Sequence, residues 1–103
     1  MPFGIPEAVA AEICSVFARY PQVDAVLLYG SRAKGTFKNG SDIDLTVKGS
    51  GLSLTVLHQI ENDLDNLLTP WSFDLSLYAQ IKSPELIEHI DRVGIAFYTR
   101  ETD

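Results

Sequence analysis

Between Pro6 and Tyr20, apolar side chains recur at Val9, Ile13, Val16, Phe17 and Tyr20, at intervals of three and four that line one face of a helix. Pro6 suits the first turn of that helix, where a missing N–H costs little, and Pro21 ends it. The next run, VDAVLLYG from Val23 to Gly30, is too short for a buried helix and rich in strand formers, so it predicts an interior strand. From Ser41 to Val47 the chain alternates strictly. Ile43, Leu45 and Val47 point one way and Asp42, Asp44 and Thr46 the other, the pattern of a half-buried strand with a polar face. After the Gly49-Ser50-Gly51 break, Leu57, Ile60, Leu64, Leu67 and Leu68 return to helical spacing, until Thr69-Pro70 stops the helix. Trp71 to Tyr78 alternates again, with Trp71, Phe73, Leu75 and Leu77 apolar and Ser72, Asp74, Ser76 and Tyr78 on the other side. Ser83 then caps, and Pro84 opens, a helix with Leu86, Ile87, Ile90 and Val93 facing inward; Gly94 closes it and Ile95 begins a last strand.

This order of elements, free of repeats, linkers and low-complexity stretches, predicts one α/β (α+β) domain over residues 1–103, a small sheet with helices on one face. With 46% hydrophobic and 21% charged residues, the chain can bury a core and does not read as disordered. Eight Lys and Arg against fourteen Asp and Glu leave a net charge of -6, which argues against a groove that tracks long nucleic acid by bulk charge. Cys14 is alone, so neither an internal disulfide nor a multi-thiolate zinc site is expected. The start MPFGIPEAVAAEIC lacks a basic signal region, and no apolar run approaches the roughly 18 residues of a membrane span. The expectation is a cytoplasmic protein with no membrane partner.

Two groups of residues carry candidate chemistry. In Tyr29-Gly30-Ser31-Arg32-Ala33-Lys34-Gly35 a strand runs out at Gly30 and a helical turn can begin, where glycine permits close backbone approach and unpaired N–H groups can face a phosphate. Ser31 adds a hydroxyl, and Arg32 and Lys34 add cations. Neither the P-loop nor the dinucleotide glycine pattern is present, and this stretch alone reads as a tight turn with solvated basic residues. The second group is acidic. Asp42 and Asp44 are two apart on one strand face, about 6 to 7 Å from each other, and Asp74 has the same polarity on another strand. Were those strands neighbours, three carboxylates would gather, and their repulsion would call for a cation such as magnesium or manganese, held through hard oxygen ligands. Separately each acid also reads as a turn residue or solvated strand position; aspartate is depleted in strands, which weighs against that for Asp44 and Asp74.

Written as one motif, Gly30-Ser31, ten intervening residues and Asp42-Ile43-Asp44 form G-S-x10-D-x-D, with Asp74 thirty residues beyond Asp44. The chain resembles the DNA polymerase beta type nucleotidyltransferases, and within them the minimal nucleotidyltransferase branch whose members are antitoxin partners of helical HEPN-domain toxins. The resemblance implies a small mixed sheet of the nucleotidyltransferase fold. It implies a Mg2+-dependent enzyme, with two ions or Mn2+ in their place, bound by Asp42, Asp44 and Asp74, the last also helping to deprotonate the attacking hydroxyl. Gly30 and Ser31 would hold the phosphates of ATP, with Arg32 and Lys34 beside them. The implied reaction is transfer of AMP from ATP to a tyrosine of a cognate HEPN toxin, the chemistry of a type VII toxin–antitoxin pair. Four of the eight basic residues, Arg32, Lys34, Lys38 and Lys48, fall in this segment, so positive charge concentrates where a triphosphate would lie.

The larger relatives implied by the resemblance add an acceptor-binding domain, for which 103 residues leave no space, so the acceptor is expected from a partner in a homo- or hetero-oligomer. Two other functions stay open: an antitoxin that neutralises by binding alone, and a nucleotidyltransferase of a small hydroxylated compound such as an aminoglycoside. His58 and His89 read as surface or packing histidines, Cys14 as a small core residue, and Phe37 as closing the turn at Asn39-Gly40. Tyr78 could line the pocket on Asp74's side. Ile95, Phe97 and Tyr98 read as an edge strand or a partner-binding patch.

Overall fold

Four α-helices and four strands alternate among the described residues: α1 (Glu7–Ala18), β1 (Val23–Tyr29), α2 (Gly30–Lys34), β2 (Ile43–Gly49), α3 (Leu54–Asp65), β3 (Phe73–Leu77), α4 (Pro84–Val93) and β4 (Ile95–Thr99). The computed structural model describes residues 2–38 and 40–100; Asn39 of the expected turn and the tail beyond Arg100 lie outside them. The strands form one mixed sheet in the order β3-β2-β1-β4. β1 is antiparallel to both β2 and β4, while β2 and β3 are parallel. A parallel pair needs a crossover. Helix α3 supplies it.

The alternation in β2 resolves as expected: Ile43, Leu45 and Val47 are buried in the core with Val26 and Leu28 of β1. Helices α1 and α3 cover that face with Ile13, Val16 and Phe17, and with Leu57, Ile60 and Leu64. Each such side chain, fully withdrawn from water, contributes roughly 1.5–3 kcal/mol to folding. The side chain of Ser53 caps α3 by accepting the Val56 N–H, and that of Ser83 caps α4 by accepting the Leu86 N–H. A register shift between Val26 and Leu27 puts an extra residue into β4, and both Phe97 and Tyr98 pack against the core there.

The arrangement refines the sequence reading in three respects. Helix α4 does not join α1 and α3: it packs against α2 and β1, with His89 beside Tyr29 on the side of the sheet that Asp44 faces. Helices therefore flank both faces. Helix α3 ends at Asp65, short of Thr69-Pro70, because the chain turns left-handed at Leu68 (φ 56°). Thr46, on the polar side of β2, is fully buried. Among the described residues no helix is long and apolar enough to cross a membrane.

Candidate active site

The site begins where β1 runs out. Tyr29 is still extended, and Gly30 takes φ +76° to start the five residues of α2. A side chain is excluded twice at this position: L-residues rarely adopt that φ, and a Cβ would collide with Oδ2 of Asp44. Gly30 is what lets the turn lie directly against the carboxylate. Its N–H donates to Nε2 of His89 at 3.2 Å. Ser31 is half-buried beside it and Lys34 is exposed.

Arg32 is placed differently from the expected phosphate contact. It is only 2% exposed, and its guanidinium donates from Nε and Nη2 to the Ser41 carbonyl and from Nη1 to the Phe3 carbonyl. The rings of Phe37 and Trp71 lie 4.9 and 5.8 Å from the guanidinium carbon. Such a group is already paired and stacked on aromatic faces. Arg32 thus clamps the chain segment that enters Asp42, and Phe37 serves as part of that clamp.

The acids meet through strand register. Tyr29 pairs with Asp44 across β1 and β2, and Asp44 pairs with Asp74 across β2 and β3, so these three residues share one face. Neighbouring strands lie about 4.8 Å apart. Asp42 is exposed one residue before β2, two positions from Asp44. The Asp44 carboxyl is raised above the usual carboxylate range, first by burial, then by the charges of Asp74 and Asp42, against a smaller opposing pull from the Arg32 guanidinium. Burial also raises the Tyr29 phenol, against a smaller pull from Ser76, with the Asp74 and Asp44 charges pushing the same way as burial. One step further along the strands, Ser76 Oγ donates to Thr46 Oγ1 at 3.0 Å, which satisfies the hydroxyl of buried Thr46. Among the described residues no three His, Cys, Asp or Glu side chains already close around a common point. The acids stand as an open face rather than a finished cage.

A cavity of about 220 Å³ lies elsewhere, at the far ends of β2 and β3 among Val47, Gly49, Leu52, Leu77 and Tyr78. The Tyr78 ring sits 4.3 Å from the Lys48 ammonium, and its hydroxyl donates to Asp91. The residue that pattern reasoning missed is His89. It is 59 residues from Gly30 in sequence and carries no local motif, so only tertiary packing brings it to the turn.

Residues 11–103 match the family model described as Polymerase beta, Nucleotidyltransferase. The chain belongs to that family. Its fold is similar to a solved toxin–antitoxin structure with AMP-PNP, at a TM-score of 0.73 and 21% identity over 89% of this chain and 74% of the other. It is also similar to the complex of the tri-AMPylated Shewanella oneidensis HEPN toxin with MNT antitoxin, at a TM-score of 0.68 and 18% identity over 91% and 72%. A chain assigned as a minimal nucleotidyltransferase matches at 27% identity and a TM-score of 0.69, over 92% of this chain and 95% of its own. No curated protein matches the chain.

The residues of this nucleotidyltransferase fit a divalent cation. The donors are hard carboxylate oxygens, and the strain on Asp44 arises partly from neighbouring like charge, which a hard cation relieves.

Proposed function

We propose that the chain is a Mg2+-dependent nucleotidyltransferase that moves AMP from ATP to a tyrosine hydroxyl of a HEPN-type toxin, and that residues 1–103 form the single domain that does so. The observation that carries this reading is the in-register pairing of Asp44 with Asp74, directly against the glycine that opens the Gly30-Ser31 turn. Membership of the nucleotidyltransferase family supports the reaction class. The AMP-PNP complex and the AMPylated HEPN toxin among its structural neighbours support the nucleotide and the acceptor.

In this reading Gly30 and Ser31 orient the terminal phosphates, with Lys34 an exposed cation nearby, and Asp42, Asp44 and Asp74 hold the ions. Divalent ions held there would lower the pKa of the acceptor hydroxyl and compensate charge on the leaving pyrophosphate. The tyrosine oxygen attacks the α-phosphorus in line, the bond to pyrophosphate breaks, and Asp74 takes the hydroxyl proton. The chain contributes position and charge compensation more than covalent chemistry. Arg32 acts at one remove, by fixing the segment that carries Asp42.

The test is transfer of label from α-labelled ATP to a co-expressed HEPN protein in the presence of Mg2+. Asp42→Ala and Asp44→Ala are each expected to reduce labelling by at least about a hundredfold. Full labelling by either variant refutes the assignment. Unimpaired neutralisation of the toxin in growing cells by both inactive variants would show instead that binding alone suffices, and labelling of an aminoglycoside in place of protein would select the small-molecule acceptor.

A further inference from the structure

The histidine of α4 is joined to the phosphate turn by a specific acceptor geometry. Nε2 of His89 accepts the Gly30 N–H at 3.2 Å, so the ring meets the turn as a hydrogen-bond acceptor. The ring stands edge-on to Tyr29, with centroids 6.2 Å apart and planes at 80°. Its helix is fixed in turn: Ser83 caps the start, Ile90 is 1% exposed, and Asp91 accepts from the Tyr78 hydroxyl. Gly30 also abuts Asp44, where there is no space even for a Cβ. One residue of the turn thus touches both the histidine and the carboxylate, so the bond to His89 bears on where the Gly30-Ser31 turn sits against Asp44.

We propose that His89 is a positioning residue for nucleotidyl transfer: by accepting the Gly30 N–H it sets the phosphate-holding turn at its working distance from Asp44. The proposal rests on the nucleotidyltransferase reading above. A histidine that merely fills space would be replaceable by any ring of its size. A positioning histidine requires an acceptor at Nε2, and small misplacements of a reacting group lower turnover steeply.

His89→Phe keeps a ring beside Tyr29 and removes the acceptor, whereas His89→Gln replaces the ring and offers an amide oxygen to the Gly30 N–H. With a HEPN acceptor and saturating Mg·ATP, His89→Phe is expected to lower turnover by about tenfold or more, with KM for ATP changed less than about threefold; His89→Gln recovers most of that loss. The amide resonance of Gly30 should move upfield in His89→Phe and return toward the wild-type position in His89→Gln. Equal turnover in the two variants, or wild-type turnover in His89→Phe, overturns the proposal. If wild-type protein transfers no AMP at all, the functional reading is what fails, and the resonances still judge His89. The shift that Mg·ATP induces at Ser31 must then be preserved in His89→Gln and altered in His89→Phe, and an unaltered shift in the latter refutes the positioning role.

Discussion

Asp44 shows how burial and neighbouring charge at the candidate site bear on stability. Its carboxyl is raised by burial and by Asp74 and Asp42, so the folded chain keeps this proton to higher pH than the unfolded chain does. Stability linked to such a group is fully present below the ordinary carboxylate pKa of about 3.9 and is lost as pH rises through the raised value. Ionised Asp44 therefore weakens the metal-free fold at neutral pH. Asp44→Asn is expected to raise the thermal midpoint at pH 7, with the gain shrinking towards zero as the pH falls below about 4; an unchanged or lowered midpoint at pH 7 would contradict the stated cause. Arg32 calls for the opposite comparison. Its three donated hydrogen bonds to the Ser41 and Phe3 carbonyls match the fork of a guanidinium, which an ammonium cannot reproduce. Arg32→Lys should lower stability by roughly 1–3 kcal/mol in denaturant unfolding, as partners of a buried group go unpaired. A phosphate ligand would give another result: weaker ATP binding at unchanged stability. The residue types of this site were legible in the sequence, since Gly30, Ser31 and the acids stand at recognisable spacing. The use of Arg32 was not, because a basic residue beside a phosphate motif looks the same whether its donors face a ligand or two backbone carbonyls.

At the scale of elements, most boundaries follow from local chemistry. Ser83 and Pro84 announced the start of α4, and the serine side chain does accept the Leu86 N–H. The alternation of β2 and β3 was equally readable, because one face is buried and a one-residue slip would turn the apolar side chains to water. The end of α3 was less so. The apolar spacing ran on through Leu67 and Leu68, yet Leu68 adopts φ 56° and stands 89% exposed, in the conformation that helix ends usually give to glycine. No core contact offsets that strain. Leu68→Gly is expected to stabilise the fold by about 0.5–1 kcal/mol, strain relief exceeding the added entropy of the unfolded chain, and a lowered denaturation midpoint would contradict this. Helix α4 shows the other limit of local reading. Its amphipathic stripe identified a packed helix but not which side of the sheet it covers, and that side brings His89 to Gly30.

At the scale of the whole molecule, the acids of one sheet face and the turn at the end of β1 form a surface that a nucleotide and its ions should hold together. Ligands that bind only the folded state stabilise it by mass action, by about 2.7 kcal/mol at a hundred times Kd. Mg·ATP at that excess should raise the thermal midpoint by roughly 10 °C or more, while ATP with a chelator, or Mg·ATP with Asp42→Ala, should leave it near its starting value. A rise that persists with the chelator would show nucleotide binding independent of these acids. On the proposed reading, cations bound at these carboxylates would offset part of the net charge of -6. The sequence by itself determined the elements, the apolar faces and the candidate site residues, because helical and strand periodicities and the spacing of Gly30, Ser31, Asp42 and Asp44 are properties of neighbouring residues. Only the tertiary structure decided that β2 and β3 pair in parallel with Asp44 beside Asp74, that Arg32 turns inward, and that α4 reaches the phosphate turn. Those outcomes depend on which distant surfaces bury one another, and no local pattern encodes that choice.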